Sequence, residues 1–214
     1  MSTINPYRAE LLDRARTLGT STLYEASGLA TSSVDPAIRT VWPGASVAGP
    51  AYSLECSPGD NLSIHIAMEQ VPRGSVLVVS TGGFVSGYWG EVLTVAAEAA
   101  GVVGLVIDGG VRDIAALVAR RFPVFTRGVS MRGTIKASAP SVGQPISFAG
   151  TPVAVGDLVV GDDDGVVVIP AAHVERTLAD GQARADKEAR MMESLRAGRS
   201  TLELMGLTHW RAAQ

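Results

Sequence analysis

Apolar positions fall into two rhythms along this chain. Short unbroken runs bounded by glycine or proline predict buried strands, and apolar residues three and four apart predict helices. Residues 75–80 (S-V-L-V-V-S) and 102–107 (V-V-G-L-V-I) are runs of the first kind. Between them, T-G-G-F-V-S-G-Y-W-G over 81–90 reads as a glycine-rich loop, and 91–100 as an alanine-rich helix stopped by Gly101. Strand, helix, strand in that order is a βαβ unit, which implies parallel pairing and a right-handed crossover. After 107, Asp108-Gly109-Gly110 predicts a tight turn, 111–121 a second helix and 123–126 a third strand.

The flanks carry weaker patterns. Asn5-Pro6 reads as a helix start, with Leu11, Leu12, Ala15 and Leu18 on one face as far as Gly19. Thr22 with Glu25 fits a capping box, and Gly28 closes that short second helix. Residues 29–45 read as loop, and 47–56 as a strand that Pro50 places partly at an edge. Asp60 is placed to cap a helix running through Glu69. Residues 146–169 read as strands broken at 150–152 and 161–165. The helix predicted over 171–197 has too little apolar surface to be core, so it is expected to lie on a neighbouring subunit; 200–205 adds a last short helix. The expected fold class is α/β: a mixed, partly parallel central sheet flanked by helices, with a C-terminal helical extension. One domain over 1–214 is expected, with 171–206 packing on a neighbour.

Composition narrows the chemistry. Of 214 residues 46% are hydrophobic and the net charge is −3, which favours an ordered globule and leaves no basic patch for nucleic acid. There is no apolar run long enough for a membrane span, and the polar start at residues 2–6 is unlike a signal peptide, so a cytoplasmic location is expected. Cys56 is the lone cysteine, which excludes a disulfide within the chain and a thiolate zinc cluster. Lys136 and Lys187 are the only lysines, which disfavours Schiff-base chemistry. Three scattered histidines leave a hard, oxygen-bound cation as the metal to expect.

Candidate chemistry gathers at two strand ends. The 82–90 loop leads into a helix start at Gly90-Glu91-Val92-Leu93, where free N–H groups and the helix dipole favour a carboxylate or phosphate. It is neither a P-loop nor a dinucleotide fingerprint. Arg112 and Asp113 follow the next strand; the arginine can fork onto a carboxylate and the aspartate can hold a divalent cation. Two successive parallel strands end on one sheet edge, so the anion loop and the Arg-Asp pair are expected to face each other. Asp162-Asp163-Asp164-Gly165 reads as a hairpin turn, His65 as a packed or surface histidine, and Cys56 as a small apolar residue. Ser130 makes no nucleophile elbow, and Glu188 reads as a solvated charge unless its helix reaches a neighbour's site.

With these residues in place, the chain resembles the family of the regulator of ribonuclease activity A (RraA-like) and the 4-hydroxy-4-methyl-2-oxoglutarate aldolases, over residues 20–206. The likeness rests on Gly59-Asp60-Asn61-Leu62 with His65, on 76–79, on Gly90-Glu91-Val92-Leu93, and most strongly on Gly104-Leu105-Val106-Ile107-Asp108-Gly109-Gly110-Val111-Arg112-Asp113. Residues 122–128 and 164–170 add to it. The resemblance implies a swivelling β/β/α fold, a trimer or hexamer with sites between subunits, and a class II pyruvate aldolase using Mg²⁺ or Mn²⁺. Its substrate would be a 2-oxo acid, and oxaloacetate decarboxylation is an expected second activity. It implies that Asp113 holds the metal, that Arg112 stabilises the enolate and that the amides of Gly90, Glu91, Val92 and Leu93 bind the carboxylate. Glu91 would orient a water for proton transfer, and Glu188 of a neighbouring subunit is a further candidate near the metal. The family pattern is an acid, twenty residues, Arg-Asp, two residues and another acid. Glu91 fills the first position, where the aldolases carry Asp, and Ala116 stands where the last acid is expected. The alternative is a non-catalytic regulator that binds a ribonuclease or another protein.

Overall fold

The computed structural model describes residues 5–29 and 32–213; the polar leader at residues 2–4 lies outside them. In chain order the first elements are α1 (Ala9–Ser27), β1 (Arg39–Thr40), β2 (Val47–Glu55), α2 (Leu62–Gln70), β3 (Val76–Ser80) and β4 (Gly87–Trp89). Next come α3 (Glu91–Ala100), β5 (Gly104–Val111), α4 (Ile114–Arg120), β6 (Val124–Val129) and β7 (Ser141–Val142). The chain ends with β8 (Ile146–Phe148), β9 (Thr151–Val153), β10 (Leu158–Asp162), β11 (Gly165–Ile169), α5 (Val174–Arg196) and α6 (Thr201–Leu204).

The main sheet runs β1-β6-β5-β3-β2-β10-β11, with β4 added on β5 and β7 on β2. Strands β2, β3, β5 and β6 pair in parallel, and β10 is antiparallel to both β2 and β11. Ser33 bridges Val167 of β11 while β1 pairs with β6, so residues 33–40 span the gap between the two sheet ends and nearly close the sheet. This is the mixed, partly parallel sheet expected from the sequence.

Alternation along the strands divides the core. Leu77, Val79, Leu105 and Ile107 face α2, α3 and α4, together with Ile64, Leu93 and Leu117. Val76, Val78 and Val106 face the other way, onto Phe125, Phe148 and Val168. Full burial of each such side chain contributes about 1.5–3 kcal/mol. A third cluster joins α1 and α5 to β10 and β11 through Leu12, Leu23, Val160, Ile169 and Leu178.

Several expectations are corrected. Helix α1 begins at Ala9, because Asn5 Oδ1 accepts from Tyr7 N–H (2.9 Å) and makes a turn there. The break at Gly19 exists as a kink (φ 77°, ψ 164°) inside one continuous element. Beyond it, no Thr22 box forms: Asp162 accepts from Thr20 N–H (2.7 Å) and Thr20 Oγ1 (2.6 Å) and caps the restarted helix from 142 positions away. Pro50 does lie where β2 is locally an edge, as expected: residues 47–50 pair only with β10, and β3 starts opposite Ala51, whose N–H donates to Asp157 O. The predicted loop at 81–90 contains β4, and the predicted loop at 29–45 contains β1.

Asp108-Gly109-Gly110 is not a turn; it continues β5 to Val111, so α4 is shorter than predicted. The break at 150–152 is a turn at Ala149 and Gly150, with Thr151 and Pro152 inside β9. The hairpin at 162–165 is as expected. Helix α5 packs its first half on α1 of the same chain through Val174, Thr177, Leu178 and Gly181, and no α5 residue beyond Gly181 is buried.

Asp162 holds two donors of a helix whose own first residues supply no cap. Asp162→Ala should therefore lower the unfolding free energy by about 1–2 kcal/mol. Urea denaturation measures it; an unchanged midpoint contradicts the capping role.

Candidate functional site

The two expected βα junctions do meet. At the start of α3, Gly90 is extended (φ −163°, ψ −162°), and the first helical bond runs from Thr94 N–H to Gly90 O (3.1 Å). The three preceding amides have no helical acceptor. Glu91 N–H donates to Asp113 Oδ2 (3.0 Å), whereas those of Val92 and Leu93 have no acceptor among the described residues.

Asp113 stands before α4 in the left-handed region (φ 59°, ψ 38°), which aspartate tolerates better than most residues. Arg112 N–H donates to Trp89 O (2.8 Å), and its Nε lies 3.8 Å from Asp113 Oδ2. The glycines make the approach possible. A Cβ on Gly90 would stand 2.3 Å from Asp113 Oδ2, and one on Gly87 would meet Ser130 O at 2.6 Å.

These groups line a cavity of about 310 Å³. Val92, Leu93, Arg112 and Asp113 line it, together with Asn61, His65, Thr134 and Lys136. Asn61 is buried and its Nδ2 donates to Tyr88 O (2.9 Å), but its Oδ1 has no partner among the described residues. Burial first, and the Lys136 charge second, hold the His65 pKa below its ordinary value and favour the neutral ring.

The sequence-predicted residues separate here. Gly90, Val92, Leu93, Arg112 and Asp113 are together at the cavity. Glu91 does not line it: its carboxylate pairs with Arg120 (3.1 Å), which also pairs with Glu98 (3.1 Å). Its amide is already committed to Asp113, so the carboxylate cradle narrows to Val92 and Leu93. Glu188 lies on α5, paired with Arg184 (2.8 Å), which also reaches Glu25; it does not line the cavity of its own chain. Asn61, Thr134 and Lys136 received no role from sequence, though Asn61 and His65 sit in the Gly59-Asp60-Asn61-Leu62 segment of the resemblance.

No group of three His, Cys, Asp or Glu side chains converges among the described residues. A cation here would have Asp113 as its protein ligand, through the oxygen that Glu91 leaves free. One carboxylate in a polar cavity suits Mg²⁺ or Mn²⁺, which retain waters and take oxygen atoms from a substrate.

Comparison with known proteins places the arrangement. The family described as RraA-like (Aldolase/RraA) matches residues 11–168. The chain belongs to the RraA-like family. A Halalkalibacterium halodurans protein named "Putative 4-hydroxy-4-methyl-2-oxoglutarate aldolase" is 34% identical over 202 residues, 92% of this chain and 95% of that one. An uncharacterized Pseudomonas syringae protein has a structure with TM-score 0.84 and 32% identity, covering 96% of this chain and 97% of its own. Streptomyces coelicolor RraAS2, titled an unusual member of the RNase ES inhibitor RraA protein family, gives TM-score 0.74 at 25% identity, covering 88% and 98%. The family match takes in both RraA-like βα junctions and ends before α5, so Glu188 falls outside it. No described helix is long and apolar enough to cross a membrane.

Gly90→Ala puts a methyl into the Asp113 carboxylate while leaving α3 a good helix sequence. It should displace Asp113 and lower any turnover at this site at least about 100-fold, the scale on which misplaced catalytic groups act. Circular dichroism should stay unchanged, and full activity in the variant contradicts the close approach of Gly90 and Asp113.

Proposed function

We propose that this chain is a carbon–carbon lyase: a divalent-metal-dependent pyruvate aldolase that cleaves a 4-hydroxy-2-oxo diacid such as 4-hydroxy-4-methyl-2-oxoglutarate, and that also decarboxylates oxaloacetate. The observation that carries the reading is the meeting of Arg112, Asp113 and the two unpartnered amides of Val92 and Leu93 in one cavity. The names of the Halalkalibacterium relative and of a Burkholderia multivorans relative, 35% identical over 136 residues, support the same class.

The start of α3 receives the 2-oxo acid carboxylate, with the Val92 and Leu93 amides donating and the helix dipole adding to the attraction. Arg112 beside it donates to the keto oxygen as that oxygen gains charge. Asp113 would hold Mg²⁺ or Mn²⁺, whose positive charge would stabilise an enolate when bound. His65, which lines the same cavity, takes the C4 hydroxyl proton in its neutral form. The C3–C4 bond breaks, its electrons pass into the pyruvate enolate, and C4 becomes a carbonyl. In oxaloacetate the bond to the departing carboxylate breaks in the same sense with no hydroxyl proton to remove. Glu91, held outward by Arg120, takes no part in this scheme.

A second reading, a non-catalytic protein-binding role, is favoured by Ala116, which leaves the first turn of α4 without the family's acid. A lactate-dehydrogenase-coupled assay separates the two. With Mg²⁺ the protein should release pyruvate, EDTA should abolish the signal, and Asp113→Asn should lower kcat at least about 100-fold. Asparagine also accepts the left-handed backbone, so this variant should stay folded. Pyruvate release insensitive to EDTA sinks the metal role.

The pH profile tests the base. His65 acts when neutral and its pKa lies below 6.5, so kcat should hold as pH falls through 6.5 and decline only lower down. His65→Gln should remove that acid limb; a limb centred above 6.5 contradicts the assignment.

A further inference from the structure

One arginine ties together the two helices whose starts make the site. Arg120, in the last turn of α4, donates from Nε (3.3 Å) and Nη2 (3.1 Å) to Glu91 Oε1, and from Nη1 (3.1 Å) to Glu98 Oε2. Glu91 opens α3, and Glu98 lies seven residues on, about 10 Å further along the helix. The guanidinium fork is thus held from two sides, which fixes it more firmly than a single surface pair. Ala116, one turn before Arg120 on α4, offers it no acid; a glutamate there would stand at the spacing that pairs with an arginine four residues later. Among the described residues the acids that Arg120 meets are the two on α3.

What Arg120 holds matters because of where Glu91 is rooted. The Glu91 backbone N–H donates to Asp113 Oδ2 (3.0 Å), so the side chain leaves the main chain close to that carboxylate. At an exposed helix start it has a choice of directions: across to α4, as observed, or back beside Asp113. A second carboxylate beside Asp113 would strengthen the hold on a divalent cation, directly or through the cation's waters. The Arg120 pair draws Glu91 the other way, and it does so whether or not a cation is present.

We propose that Arg120 is a positioning residue for Glu91: by bridging it to Glu98 it keeps that carboxylate away from a cation on Asp113, and so sets how loosely the chain holds the cation. The inference rests on the preceding reading in one respect, that Asp113 holds a divalent cation. Arg120 touches neither substrate nor cation. Ala116 belongs to the same device, since it leaves Arg120 free for Glu91.

Cation binding measured without substrate tests it. Mn²⁺ is titrated into the protein and the free ion is followed by its paramagnetic resonance. The wild type should show one site, lost in Asp113→Asn. Arg120→Met should tighten that site at least about threefold, the scale on which one unit charge acts over a few ångströms in water. Arg120→Lys should stay near the wild type. Glu91→Gln keeps the N–H bond to Asp113 and should leave the affinity unchanged when made alone. Added to Arg120→Met it should cancel the gain, whereas Glu98→Gln, the same loss of charge further along α3, should leave most of it. Residues 91, 98 and 120 are all exposed, so these variants should fold. A site in Arg120→Met no tighter than in the wild type overturns the proposal, and so does a loss of affinity in Glu91→Gln alone. Equal effects of Glu91→Gln and Glu98→Gln in the Arg120→Met background reduce the gain to net charge and overturn it as well. A wild-type site that is absent, or indifferent to Asp113→Asn, overturns it together with the metal role. The expected Mn²⁺ pattern without pyruvate release overturns the aldolase reading alone.

Discussion

The bond from Glu91 N–H to Asp113 Oδ2 joins the two βα units that make the site. It needs Gly90, because any side chain there enters the carboxylate, and it needs Asp113 in a left-handed conformation, which turns the side chain back toward α3. Arg112 is registered by the same junction through its N–H on Trp89 O. A small shift at Gly90 therefore moves the aspartate, the arginine and the free amides of α3 together. The bond also has a chemical consequence: it occupies one of the three free amides of α3 and leaves one carboxylate oxygen for a cation.

The cavity gathers the start of α3, a guanidinium and a single carboxylate with an imidazole and an ammonium. Groups fixed in this way stabilise developing charge without having to reorganise when it appears, and in many enzymes this is the main source of the rate enhancement. Asp60 holds residues 137 and 138 against the start of α2 by accepting from backbone donors on both.

Much of the fold was legible because its strands are continuous valine-rich runs and its helices carry their own stops. Strands β3 and β5, helix α3 and the parallel pairing followed from 75–107 alone, and the convergence of the two strand ends followed from that pairing. Glycine misled where it serves close approach instead of turning. At Gly109 and Gly110 a Cβ would meet Thr81 at 2.9 Å and Ser86 O at 2.6 Å, so the apparent turn is β5 running tightly against its neighbours. The family resemblance supplied Glu91 as an acid, but its carboxylate is turned away by Arg120, a partner 29 positions distant that periodicity cannot reveal. Asp60 was legible as a helix cap through its bond to Leu62; its hold on residues 137 and 138, the first of them 77 positions on, was not. Long-range contacts of single polar atoms leave no local pattern.

Whether this cavity generates and stabilises a pyruvate enolate can be measured without knowing the distal half of the substrate. Pyruvate incubated in D₂O with the protein and Mg²⁺, followed by proton NMR, reports enolate formation as loss of the methyl signal. Exchange should run well above the protein-free rate, stop on adding EDTA and fall strongly in Arg112→Ala. A methyl signal that decays no faster with the protein than without it contradicts enolate formation at this site.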